Sequence, residues 1–96
     1  MSNYEIMFIV KNTIDDDANK KVSEELKNLI TNDKGKIIEF KEMGKRKLAY
    51  PINKELTGTY YVMTVSAKTE TIEEFDRKVS INENVLRHLI LSKEGE

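Results

Sequence analysis

Cysteine and tryptophan are absent from this sequence, and proline and histidine occur once each. Without cysteine there are no disulfides and no thiolate metal sites. The one histidine, His88, lies in an apolar stretch. A metal site needs several converging ligands, so His88 is read as a partly buried or surface histidine. The four glycines, Gly35, Gly44, Gly58 and Gly95, are isolated, which excludes a glycine-rich phosphate loop. The acidic triplet Asp15–Asp17 lacks the glycine and distal glutamate of a calcium loop, and helix capping explains it better. No serine or threonine has a plausible base beside it in sequence. The chain is therefore expected not to be an enzyme, to need no cofactor or metal, and to take no small-molecule substrate. Long apolar runs are missing too. The longest, Ile6 to Val10, cannot span a bilayer. No basic segment followed by an apolar one opens the chain, so a cytoplasmic location is expected.

What is present is charge, which accounts for 34% of the 96 residues and nearly cancels to a net −1. The balance is uneven. Lys36, Lys41, Lys45, Arg46, Lys47 and Lys54 face only Glu39 and Glu42 within residues 36–54, so that window carries +4 and the remainder −5. A nearly neutral protein with one basic element can hold a polyanion locally, because the field near a surface follows the nearest charges. On charge alone, a solvated lysine-rich face explains the window equally well.

Hydrophobic periodicity predicts the elements. Tyr4–Lys11 reads as a strand apolar on both parities, suited to a central position. Thr13–Lys34 reads as a helix with Thr13 or Asp15 as N-cap. Its buried stripe is Ala18, Val22, Leu26, Leu29 and Ile30, its wet face includes Lys20, Lys21, Glu24 and Lys27, and Gly35 is its stop. Lys36–Ile52 reads as a long strand anchored by Ile37, Ile38 and Phe40, then by Leu48, Tyr50 and Ile52. A bulge or bend is expected at Gly44, and Pro51 demands an edge or a strand end. Asn53–Gly58 reads as a loop. Thr59–Ala67 is a strand with Tyr61, Met63, Val65 and Ala67 toward the core and Tyr60, Val62, Thr64 and Ser66 outward. A helix is predicted to open at Thr71 with a capping box to Glu74 and to bury Ile72, Phe75 and Val79. After a turn at Ile81–Asn84, Val85–Leu91 forms the last strand, with Leu86, His88 and Ile90 on one face and Val85, Arg87, Leu89 and Leu91 on the other.

The order βαββαβ, with right-handed crossovers, predicts an α+β ferredoxin-like fold over residues 1–96 as one domain. It is a four-stranded antiparallel sheet of order 4-1-3-2 with both helices on one face and the other face open. The basic second strand falls on an edge, where Lys45, Arg46 and Lys47 also discourage pairing with another chain. Gly58–Val62, GTYYV, resembles only poorly the third-strand motif of RNA-recognition domains, and its tyrosines are expected to pack and pair across strands.

Met43–Tyr61, MGKRKLAYPINKELTGTYY, is the most informative segment. Gly44, Arg46, Lys47, the run Leu48-Ala49-Tyr50-Pro51-Ile52, Lys54, and the pair Tyr60–Tyr61 after Gly58 closely resemble the signature of a ribosomal family, the sixth protein of the bacterial small subunit. Tyr4-Glu5 before an apolar strand, and Asn84, Val85 and Arg87, extend the resemblance over essentially the whole chain. It implies the same ferredoxin-like fold. It also implies a structural role in the small ribosomal subunit, binding the central domain of small-subunit ribosomal RNA as a heterodimer with small-subunit protein eighteen. On that basis Lys45, Arg46, Lys47, Lys54, Arg87 and Lys93 are expected to contact RNA, and Tyr50, Tyr60 and Val62 the protein partner. The competing reading is a ferredoxin-like regulatory or dimerisation module without RNA affinity. The LAYPI segment argues against it.

Overall fold

In the computed structural model, which describes residues 2–12, 15–52 and 55–93, the elements follow the order β1 (Ser2–Lys11), α1 (Asp16–Thr31), β2 (Lys36–Ile52), β3 (Glu55–Ala67), α2 (Thr69–Ser80) and β4 (Val85–Ser92). The side chains of residues 16 and 52 are outside that description, so the anchoring role expected of Ile52 is too. The strands form one sheet of order β2-β3-β1-β4, antiparallel at every pairing, as the topology rules predicted.

β1 takes the centre because both of its faces are apolar. Ile6, Phe8 and Val10 are completely buried beneath the helices, together with Tyr61, Met63 and Val65 of β3, Val22, Leu26 and Ile30 of α1, and Phe75 and Val79 of α2. Tyr61 stacks on Phe8 at 5.1 Å between ring centroids and tilts against Phe40 at 5.7 Å. It is therefore a core side chain, as its parity predicted. Burying rings of this size is the largest apolar contribution available to a chain without tryptophan.

Several boundaries differ from the expectation. Asp15 is the N-cap of α1, its carboxylate accepting from the Ala18 amide at 2.7 Å. The alternative cap, Thr13, lies outside the described residues. At the other end Lys34, with φ 67°, takes the left-handed position expected of Gly35. The Gly35 amide donates to the Ile30 carbonyl and that of Lys34 to the Thr31 carbonyl, closing the turn. α2 starts at Thr69, two residues before the predicted capping box. Its N-cap, Lys68, makes no side-chain cap, and Thr71 is buried and donates to Asp33 beyond the end of α1 at 2.7 Å. Glu74 instead pairs with Arg77 and Lys78. Lys27 is not on a fully wet face: its ammonium pairs with Glu24 and sits 4.3 Å from the centre of the Phe40 ring.

Residues 55–58, expected in a loop, belong to β3 and lengthen its hairpin with β2. That hairpin is irregular. The register shifts between Ile37 and Glu39, between Glu42 and Gly44, and between Lys47 and Ile52. Gly44 has φ 89° with open space where a side chain would stand, so the backbone conformation is what requires glycine there. The extra residue at the first shift turns Ile38 outward to 54% exposure, contrary to its predicted anchoring role. A shift between Ile9 and Val10 on the β4 side likewise puts Val85 opposite Val10, against the core rather than with Arg87.

Candidate nucleic-acid interface

Partners across an antiparallel ladder share a face, so the pairings sort the candidate residues. Lys45 stands opposite Thr59, whose side chain is buried on the helix side. Arg46 stands opposite Gly58 on the open side, and Lys47 opposite Thr57 on the helix side again. Consecutive strand residues point to opposite faces, so these three cations cannot form one flat patch. Lys45 borders a polar hollow with Lys20, Glu42 and Asn19.

Beneath that hollow runs a chain of hydrogen bonds that the sequence reading missed. Tyr61 donates its hydroxyl proton to the Asn19 side-chain carbonyl. The Asn19 amide donates to Thr59 at 3.4 Å, Thr59 to Asn12 at 2.5 Å, and Asn12 to Thr57 at 3.2 Å. Asn19, Thr59 and Tyr61 are all buried, so this chain fixes α1 over the hairpin and satisfies groups that would otherwise be desolvated without partners. Asn19 lies one position from the apolar stripe of α1. That is the only signal it gave.

The open face is built from alternate residues of β3, β1 and β4. Ile9 lies opposite Tyr60 and Arg87, Met7 opposite Val62 and Leu89, and Glu5 opposite Thr64 and Leu91. Tyr60 and Val62 thus face outward as predicted, within a surface that includes half-exposed Leu89 and Leu91. Apolar hollows lie on either side of Met7. One is lined by Ile9, Arg87 and Leu89, the other by Glu5, Val62, Leu89 and Leu91. A contiguous apolar surface of this kind suits a protein partner.

Tyr50, expected to anchor β2, is 52% exposed. It reaches the far edge of the sheet: the Arg87 Nη1 of β4 donates to its hydroxyl at 2.5 Å, and the guanidinium carbon lies 5.5 Å from its ring centre. β2 and β4 are opposite edge strands, so this contact exists only because the end of the hairpin folds across the sheet. At the crossing, a Cβ on Gly58 would stand 2.4 Å from the Ile9 side chain, which is buried there outside the main core.

Lys93 sits elsewhere. Its amide donates to the Asn3 carbonyl and its ammonium lies 4.0 Å from Glu5, six residues of strand, or about 20 Å, from Arg87. Lys54 lies outside the described residues. The candidate RNA contacts therefore fall into three places: the helix side of the hairpin, its open side together with Arg87, and the opposite end of β4. His88 points to the helix side, where its ring meets Asp76 at 2.5 Å. Among the described residues no cluster of three metal-ligating side chains occurs, and no helix is long and apolar enough to cross a membrane.

A family model described as Ribosomal protein S6 matches residues 3–92. The crystal structure of 30S ribosomal protein S6 from Thermotoga maritima superposes with a TM-score of 0.90 at 27% identity, covering 96% of this chain and 87% of that one. Two more distant structures share the fold. An uncharacterised Thermotoga maritima protein has a TM-score of 0.63 at 18% identity, covering 97% of this chain and 98% of that one. The C-terminal domain of the MgtC protein from Mycobacterium tuberculosis has a TM-score of 0.65 at 10% identity, covering 99% and 90%.

Proposed function

The chain belongs to the ribosomal protein S6 family, and from this premise we propose that it is a structural, non-enzymatic constituent of the small ribosomal subunit, in the cytoplasm. There it binds the central domain of small-subunit ribosomal RNA together with small-subunit protein eighteen. The observation that carries this reading is the position of the family-like segment. Gly44 to Pro51 forms a basic arm of an edge strand that is largely exposed, with Leu48 its one buried side chain, instead of being consumed in the core.

The charge distribution supports a shared site. With a net charge of −1 the chain has too few clustered cations for tight RNA binding alone, since affinity for a polyanion grows with the number of phosphates neutralised. A basic partner seated on the apolar open face, against Tyr60 and Val62, supplies the remainder. The cations of the arm, with Lys54, Arg87 and Lys93, then fix orientation through phosphates rather than reading bases.

The test mixes the purified chain with protein eighteen and a central-domain RNA fragment, followed by sedimentation and mobility shift. The chain alone is expected to be monomeric and to bind RNA weakly, whereas the mixture forms a heterodimer that binds tightly. Failure to associate with both protein eighteen and the RNA would overturn the proposal.

A further inference from the structure

We infer that Tyr50 is a positioning residue for an RNA-phosphate site at Arg87, rather than a contact for the protein partner; this rests on the reading of the chain as an RNA-binding ribosomal protein. The geometry at the pair carries the inference. A guanidinium offers two forks to an anion: one of Nη1 and Nη2 at its end, one of Nε and Nη2 along its side. Tyr50 engages Nη1 alone. Arg87 has no other partner among the described residues, so the side fork of Nε and Nη2 remains complete.

An arginine on an exposed strand is ordinarily a flexible cation that loses much rotamer freedom when it binds. Here the phenol fixes one nitrogen and the guanidinium carbon sits over the ring, 5.5 Å from its centre, so part of that ordering is done before a ligand arrives. A bidentate, planar recognition of two oxygens matches a phosphodiester, the anion the proposed RNA presents. Among the described residues no carboxylate is paired with Arg87, so an arriving phosphate has none to displace.

Tyr50 also brings this site to the arm. Because the ring comes from the opposite edge strand, Arg87 is oriented by the same hairpin that carries Arg46 on the open side. The arm and β4 thereby present two arginines of one surface, Arg46 and Arg87, whereas Lys45 and Lys47 face away from it.

The experiment is a double-substitution cycle on the heterodimer with protein eighteen, titrated with the central-domain RNA fragment across a salt series. Tyr50→Phe keeps the ring and removes the acceptor. It should weaken binding by about two- to tenfold, the range of one hydrogen bond, and leave the salt slope unchanged because the number of phosphates contacted is the same. Arg87→Ala should lower the slope by roughly one unit. Adding Tyr50→Phe to Arg87→Ala should cost nothing further, because Tyr50 acts through Arg87. Equal losses in both backgrounds, or no loss from Tyr50→Phe, would overturn the inference. So would weakened heterodimer formation without RNA, which would assign Tyr50 to the protein partner. If the unsubstituted heterodimer does not bind the RNA, the functional reading itself fails, and the inference with it.

Discussion

Lys34 and Gly35 divide between them the two demands of the turn that ends α1: Lys34 adopts the left-handed backbone and Gly35 leaves room for Ile30. A Cβ on Gly35 would stand 2.6 Å from the Ile30 side chain and 2.7 Å from its carbonyl oxygen. Ile30 is completely buried and cannot give way. Lys34→Gly is therefore expected to stabilise the protein by about 0.5–1 kcal/mol, the left-handed strain removed less the backbone entropy added. Gly35→Ala should cost about 1–3 kcal/mol as overpacking. Urea unfolding of both variants checks the division. Loss of stability in Lys34→Gly would contradict it.

The bond between Tyr61 and Asn19 makes a second prediction. Tyr61→Phe leaves the buried Asn19 carbonyl without its donor and should cost about 1–2 kcal/mol. Asn19→Ala removes both the acceptor for the tyrosine hydroxyl and the donor to Thr59 and should cost about 2–3 kcal/mol. Because the groups share one chain of hydrogen bonds, the double variant should lose less than the sum. Additive losses in thermal unfolding would mean that the two act separately.

Replacing Lys45, Arg46 and Lys47 together with alanine tests whether the arm lies along RNA on one side. Three phosphate contacts would account for a fall of about 2.7 in the slope of log affinity against log salt, at roughly 0.9 per contact. The alternation of faces predicts a fall of about one to two instead. A loss near the full value, measured with the heterodimer, would mean that nucleic acid grips the arm from both sides.

The Glu74 carboxyl is held below its ordinary value, chiefly by its hydrogen bond from Arg77; desolvation opposes this, and the positive charges of Arg77 and Lys78 add to the lowering. A depressed folded-state value means that the stabilisation is present above the unfolded value and is lost as pH falls through the folded one. Glu74→Gln should thus lower the urea midpoint slightly at neutral pH, with a gap to the unsubstituted protein that closes in acid. The group is exposed, so the effect should be small. A gap that widens in acid contradicts the assignment.

The sheet order and the identity of the core were legible because they rest on alternation. Tyr61, Met63 and Val65 could be assigned to the buried face of β3 from parity alone, and the doubly apolar β1 to the centre. Alternation fails wherever an extra residue enters a strand. Ile38 was expected inside and stands outside, and Val85 was expected beside Arg87 and packs on the core, each at a register shift. Local capping rules failed at Thr71 for another reason. Its hydroxyl is bonded to Asp33, 38 residues away in sequence, and tertiary pairing outweighed the capping box. The site was legible by residue type but not by arrangement. Nothing in the spacing of Tyr50 and Arg87 indicates that opposite edges of the sheet meet, because that contact depends on the irregular crossing of the β2–β3 hairpin.

The central place of β1 also constrains when this protein can fold. The first of the sheet's strands to be translated is flanked by β3 and by β4, with Tyr4 opposite both Val65 and Ser92. Until residues 85–92 have been translated, one edge of β1 has no partner and its apolar side chains are only half enclosed. Such long-range closure is slow compared with helix or hairpin formation. A nascent chain therefore holds its most apolar strand with an open edge until β4 has been made, and the finished sheet waits on the last of its strands to be translated.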